Sequence, residues 1–355
     1  MQKHVTAIIC LSPYSGGMEL DTIKLAKRLS PFMPIVVIAK KDHFIDNKRD
    51  EYKGYNGIKL ETIQFKANLG LSIIYNARRI VKKYNIKNVF FFGASELKSL
   101  YFAFLGLDIN LIVRHGTTKS KPKKDWFHRL IYSDVNTHVA ICKHLEENVK
   151  YIVPFGKNTQ SKLVYPSFEV SKPYLQEHKK LTLLHVGRIV YSKGQEDAIK
   201  ACDILVENDI DFDFYIVGGF DEKYEKNFNE FLESVSYKEH IKLVGFTNDV
   251  QSYLNRSDIF LFPSYGEGFG NAFVEALSYN LVCISYNNTS FSELQNLGFY
   301  FKMCEDRNID SVRKNLLEVA TNLDEFKACV KENHTLAATL FSPEKELKNY
   351  FEILK

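Results

Sequence analysis

A chain of 355 residues, 45% hydrophobic and 25% charged, can bury two ordinary cores, so two domains are expected. Its six cysteines (Cys10, Cys142, Cys202, Cys283, Cys304 and Cys329) form no CxxC pair and several stand in apolar runs; this argues against a zinc or disulfide framework and for a cytoplasmic setting. No apolar run reaches the ~18 residues of a membrane span, and the run in MQKHVTAIICLSPYSGG is too short for a signal peptide, so any membrane contact is expected to be peripheral.

In chain order, the predicted strand Val5–Leu11 ends in SPYSGG and leads into an amphipathic helix, Met18–Leu29, the opening of a doubly wound α/β sheet. Gly16 and Gly17 fall in the turn between them. GxGxxG is absent there and no acidic residue follows at the expected distance of ~20 positions, which disfavours a nicotinamide fold. Strands are predicted at Ile35–Ala39, Leu60–Phe65, Val89–Phe92, Leu111–Arg114, His138–Ile141 and Tyr151–Val153, with helical patterns between most of them. The stretch from Leu71 to Tyr84 places Ile73, Ile74, Ala77, Ile80 and Val81 on one face, with Arg78, Arg79, Lys82 and Lys83 beside it. His115 closes the strand LIVRH and opens a basic loop holding Lys119, Lys121, Lys123, Lys124, Trp126 and Arg129. Ligand-binding residues gather at strand ends of this kind, although a loop histidine also serves local hydrogen bonding.

Between Phe168 and Lys180 the sequence turns polar around Pro173, and the linker is placed there. The alternation then repeats: LTLLHVGR (181–188), a helix over 195–207, FDFYIVGG (212–219), a helix over 221–235, IKLVGF (241–246), a helix over 248–255 and IFLF (259–262). Charge divides with the halves. Residues 1–175 carry 28 Lys+Arg and 14 Asp+Glu, a net +14, whereas residues 176–355 carry 19 and 29, a net −10. A basic half beside an acidic half suits an anionic surface or acceptor on one side only. No nucleic-acid module pattern accompanies the basic residues.

The stretch from Phe262 to Tyr279, FPSYGEGFGNAFVEALSY, concentrates two carboxylates, three glycines and a helix start near Asn271. Gly266, Gly268 and Gly270 let a ligand approach the backbone, and N–H groups at a helix start favour an anion such as a diphosphate. Glu267 and Glu275 bracket that place and can accept hydrogen bonds from hydroxyls, as of a sugar and a ribose. A capped helix with solvated glutamates has the same local pattern. Upstream, VGRIVYSKG sets Arg188 and Lys193 just past a strand, where two fixed cations would stabilise a diphosphate. Gly218 and Gly219, with Gly245 and Phe246, end the next two strands and are expected at the base pocket. The DFD of Asp211–Asp213 opens a strand, at the end away from the ligand edge, and reads as solvated turn aspartates rather than a metal site.

EGFGNAFVEAL resembles the E-x7-E signature of retaining GT-B glycosyltransferases of family 4 (glycosyl transferases group 1), and Arg188 with Lys193 resembles the R-x4-K of that family. The resemblance implies a GT-B fold: two Rossmann-like doubly wound α/β domains facing a central cleft. It places an acceptor-binding domain over 1–170, a linker over 171–180, a nucleotide-sugar domain over 181–340, and a last helix (341–355) packed across the junction. By the same resemblance Glu267 binds donor-sugar hydroxyls. The amides of Phe269, Gly270 and Asn271 approach sugar and phosphate, Gly268 belongs to the same donor site, Glu275 holds the ribose, and Arg188 and Lys193 contact the donor phosphates. Gly16 and Gly17 lie under the diphosphate, and His115 lies close to donor sugar and acceptor. Asn271 stands where the family commonly has an aliphatic residue, which bears on the sugar bound.

The implied activity is retaining transfer of a sugar from a nucleotide diphosphate donor, expected to be UDP-linked, to a saccharide or lipid-linked acceptor in bacterial capsule, lipopolysaccharide or other envelope polysaccharide synthesis. No cofactor or metal is expected. The alternatives are a catalytically idle nucleotide-sugar-binding partner of another transferase and a sugar-nucleotide epimerase of similar shape; the epimerase would need added acid/base carboxylates.

Overall fold

The computed structural model describes residues 4–14, 16–169 and 180–354, which divide into two compact units, 1–167 with 343–355 and 168–342. Of the predicted linker, only Lys180 lies among the described residues.

The first unit is a parallel seven-stranded sheet: β1 (Val5–Cys10), β2 (Ile35–Lys40), β3 (Ile58–Ile63), β4 (Ile86–Phe92), β5 (Asn110–His115), β6 (Thr137–Ala140) and β7 (Gln160–Leu163), in the order β3-β2-β1-β4-β5-β6-β7. Helices cover both faces, so the central strands carry apolar runs such as AII in β1 and VFFF in β4 instead of alternating. In β1, Ala7 and Ile9 feed one core while Ile8 and Cys10 feed the other. Burial of each isoleucine contributes about 1.5–3 kcal/mol. The order reverses at β1 and β4, so a ligand crevice is expected outside the carboxyl ends of these strands.

One predicted strand is corrected. Tyr151–Val153 is the end of the helix Lys143–Ile152, which buries Leu145, Val149 and Ile152 at a helical spacing. A three-residue apolar run was too short to outweigh that period. The seventh strand is instead the polar QSKL of β7 at the sheet edge, where alternating hydrophobicity is not needed. The last helix, Pro343–Phe351, belongs to the first unit. Its Tyr350 packs edge-on against Phe90 at 5.2 Å, and Glu346 pairs with Arg28 at 2.7 Å.

The second unit is a parallel six-stranded sheet of β8 (Leu181–Val186), β9 (Phe212–Val217), β10 (Ile241–Gly245), β11 (Ile259–Phe262), β12 (Val282–Tyr286) and β13 (Lys302–Cys304), in the order β10-β9-β8-β11-β12-β13. Here the order reverses at β8 and β11, the two strands that carry the cationic and carboxylate motifs at their ends. The helix expected over 195–207 is two helices, Gln195–Ala201 and Asp203–Glu207, and that over 221–235 is Glu225–Glu233. Asp211 and Asp213 lie at the opening of β9, where both pair with Lys180 at 2.9 and 3.1 Å. All six cysteines are free thiols, five of them buried and Cys329 exposed. Among the described residues, no helix is long and apolar enough to cross a membrane and no group of His, Cys, Asp or Glu could hold a metal ion.

Candidate active site

In the second unit, two backbone segments lock together at the ends of β8 and β11. After β8 the chain makes a single turn, Tyr191–Lys193, and Gly194 adopts a left-handed conformation (φ +70°) before the helix Gln195–Ala201. A Cβ on Gly194 would lie 1.9 Å from the carbonyl oxygen of Pro263, so only glycine lets the two loops touch. The Tyr265 amide donates to the Ser192 carbonyl (2.9 Å), and Ser264 Oγ lies 3.2 Å from the same oxygen.

This lock brings Lys193 and Glu267 together. Lys193 Nζ lies 2.5 Å from Glu267 Oε1, which also accepts from Ser264 Oγ at 2.8 Å, while the Glu267 amide donates to Thr289 Oγ1 at 3.0 Å. The carboxylate is 10% exposed and the ammonium 27%, so removing either partner strands the other's half-buried charge. Because both bonds fall on Oε1, Oε2 keeps its capacity to accept from a ligand hydroxyl.

Three supports of this pair were not read from the sequence. His185, wholly buried in β8, tilts against Phe262 with 4.8 Å between ring centres, and its Nε2 lies 3.1 Å from the Lys193 carbonyl. Burial pushes its pKa down to about 3, so the ring is neutral and donates Nε2–H to that carbonyl. Asp197 is buried and accepts from the hydroxyls of Tyr265 (3.0 Å) and Tyr286 (2.7 Å), pinning the loop just before Gly266. Thr289 anchors it from the segment after β12. The one available cue was Asp197 inside the apolar pattern that follows Gly194, since a carboxylate there must find partners.

The remaining motif residues fall at the same edge. Gly270 is left-handed (φ +82°) and caps the helix Asn271–Ser278, with Glu275 half-buried one turn in. Gly268 is half-buried in the loop; Phe269 turns its ring inward to Phe341 (5.3 Å), and its carbonyl accepts from Ser290 Oγ. Arg188 is exposed two residues past β8, and the Gln195 side chain donates to its carbonyl at 2.9 Å. Phe246 follows β10 with its ring 80% exposed, and a Cβ on Gly219 would lie 3.9 Å from that of Phe246, so these two are neighbours. Charge, hydrogen-bond acceptors, a helix start and an exposed aromatic ring thus share one strand edge.

In the first unit, Gly16 caps the helix Gly17–Leu29 in extended backbone, with φ near 180°, so its conformation does not require glycine. A Cβ there would meet only Glu19 Oε2, at 3.3 Å. His115 ends β5 and is buried, with Nε2 2.9 Å from Nδ1 of the buried His138 on β6. Burial, then each other's ring and Lys119, drives His115 well below the usual imidazole range; burial and Lys119 bring His138 down to about 3, so both are neutral. Lys119 is itself lowered to about 8 by burial and by Lys123. The basic helix is less free than its sequence implies. Arg78 donates to the carbonyls of Ala103 and Leu105, each at 2.9 Å, and Lys83 pairs with Glu61 at 2.8 Å. Arg79, Lys82, Lys121 and Lys124 are exposed, as are Leu71 (83%), Tyr75 (69%) and Trp126 (76%).

Two such parallel sheets, with this constellation at the carboxyl edge of the second, form the two Rossmann-like domains of a GT-B fold. Residues 167–334, just under half of the chain, match the family model described as glycosyl transferases group 1, and the protein is a glycosyltransferase. It is 26% identical over 306 residues to the capsular polysaccharide biosynthesis glycosyltransferase CapH of Staphylococcus aureus, covering 81% of each chain. It is 31% identical over 136 residues to the UDP-Gal:alpha-D-GlcNAc-diphosphoundecaprenol alpha-1,3-galactosyltransferase of Escherichia coli, covering 38% of this chain and 35% of that one. The crystal structure of a glycosyltransferase from Rickettsia africae ESF-5 superposes with a TM-score of 0.86 at 17% identity, over 99% of this chain and 98% of that one.

Proposed function

We propose that this glycosyltransferase moves a sugar from a UDP-linked donor, with retention of configuration, to a hydroxyl of a saccharide or lipid-linked acceptor in bacterial envelope polysaccharide synthesis. The observation that carries the proposal is the Lys193–Glu267 pair, which joins residues 74 positions apart beside a helix start. Breaking a sugar–diphosphate bond leaves negative charge on the diphosphate. Lys193 and Arg188 with the N–H groups at Asn271 supply fixed positive charge for it without a metal. When a donor binds, Lys193 exchanges part of its bond to Glu267 for a phosphate oxygen, and Glu267 turns acceptor capacity to the sugar hydroxyls. Glu275 then meets the ribose, Phe246 and Gly219 flank the base, Gly16 and Gly17 approach the diphosphate, and His115 serves the sugar and acceptor. The names of the capsular and diphosphoundecaprenol-dependent relatives support the polysaccharide setting and the UDP donor.

A cytoplasmic, membrane-peripheral location follows if the acceptor is lipid-linked: exposed Arg79, Lys82, Lys121 and Lys124 would meet anionic headgroups at ~1 kcal/mol each, with Leu71, Tyr75 and Trp126 entering the interface. Flotation with anionic but not neutral vesicles is expected, and equal behaviour with both would remove that element.

The test of the reaction is release of UDP from a panel of UDP-hexoses with a saccharide acceptor in excess chelator, followed by NMR of the product's anomeric centre. Turnover with the donor's configuration kept is expected. A scaffold would bind without turnover, an epimerase would isomerise the free donor, and rescue only by magnesium or manganese would end the metal-free account.

A further inference from the structure

In the parallel pairing of β5 with β6, His138 stands opposite Val113 and Ala140 stands opposite His115. Residues two apart share a face of a strand, so both imidazoles point to the same side of the sheet and meet diagonally. His138 is only 1% exposed, lies between the rings of Tyr132 and Phe155 (centres 5.7 and 4.8 Å away), and its Nε2 has no hydrogen-bond partner among the described residues.

We infer that His138 is a positioning residue that fixes His115 as the Nδ1–H tautomer, so that His115 works as a hydrogen-bond donor to substrate and not as a general base. Two neutral imidazoles in contact share one N–H across the 2.9 Å gap, and two arrangements exist. If His115 Nε2–H donated, His138 would carry its own proton on Nε2, an N–H buried among aromatic rings without an acceptor. If His138 Nδ1–H donates, only a lone pair is left there. Orphaned buried N–H groups are the rarer case in folded proteins, and leaving such a donor unpaired costs about 1–3 kcal/mol, so the second arrangement holds. His115 Nε2 is then occupied as acceptor, and Nδ1–H is the ring group left for a ligand. A donor there can bind an oxygen of the sugar or of the acceptor, and it cannot take up the acceptor's proton.

This inference rests on the assignment of His115 to the sugar and acceptor, and the test separates the two. His115→Ala, His138→Phe, His138→Asn and the His115→Ala/His138→Phe double variant are compared for kcat and for donor KM, with thermal unfolding as the control for folding. Asparagine can place an N–H where His138 Nδ1 stands, whereas phenylalanine keeps the ring and removes the donor. His138→Phe is expected to lower kcat about tenfold or more with little change in KM, His138→Asn to restore it to within a few-fold, and the double variant to be no worse than His115→Ala. An unimpaired His115→Ala overturns both the assignment and the inference. An impaired His115→Ala with a normal His138→Phe, or with losses that simply multiply in the double variant, overturns the inference alone. Imidazole 15N NMR of the unmodified protein gives a readout independent of any variant: a protonated Nδ1 and bare Nε2 on His115 support the inference, and the reverse pattern overturns it.

Discussion

The two sheet edges are built from opposite materials. The edge of the second unit is ionic and half-exposed, with Lys193 and Glu267 in direct contact beside a helix start. At the edge of the first, two buried, uncharged imidazoles share one hydrogen bond. A diphosphate needs fixed charge that stays partly wet until the ligand arrives, because a fully buried lone ammonium would lose its proton. Placing a sugar ring needs hydrogen-bonding groups of settled polarity, which burial of neutral rings provides. On the proposed function, the second edge supplies charge and the buried imidazoles of the first supply orientation.

The sharpest way to break this division is to remove the ionic half. Lys193→Ala and Glu267→Ala are each expected to lower turnover at least ~100-fold, as when a contact to transition-state charge is lost. Steady-state kinetics within a few-fold of the parent would end both assignments. Next in size is Gly194→Ala, which forces a Cβ into the Pro263 carbonyl at a left-handed φ. A loss of at least ~2 kcal/mol in urea unfolding is expected, and an unchanged midpoint would show that the two loops need not touch.

The neutral half is probed by acid. Because the folded pKa values of His138 and His185 are held near 3, the unfolded chain takes up protons below its own pKa of ~6.5 that the folded chain refuses. Stability should fall as pH drops from ~6.5 towards 3, by up to about 1.4 kcal/mol per pH unit for each histidine. Unfolding curves at pH 7.5 and 5.5 check this, and His185→Phe should flatten the dependence. The smallest expected effect separates structural from free basic residues on one helix. Arg78→Ala, which strips the Ala103 and Leu105 carbonyls of their donor, should cost about 1 kcal/mol, whereas the exposed Arg79→Ala should change stability by under ~0.5 kcal/mol.

What could be read from the sequence follows the same division. The ionic edge is written locally: Arg188 to Lys193 and Glu267 to Glu275 each span a few residues after a strand, in residue types suited to phosphate and hydroxyl groups. The doubly wound alternation was legible because buried parallel strands carry apolar runs, as in β1 and β11. The polar edge strand β7 carries no such pattern and was replaced by a helix end. His138, His185 and Asp197 went unread because each acts through a partner on another element, which pairing and burial place and spacing does not. Spacing sets Arg78 beside the apolar face but does not show that its guanidinium is held by the Ala103 and Leu105 carbonyls.

The central claim, that the edge of the second unit binds a nucleotide diphosphate through fixed cations, is tested most directly by calorimetric titration of UDP in excess chelator. The unmodified protein should bind, and the Arg188→Ala/Lys193→Ala variant should bind at least ~10-fold more weakly while unfolding at a similar temperature. Equal affinity in the two proteins, or binding by the unmodified protein only after a divalent metal is added, would contradict it.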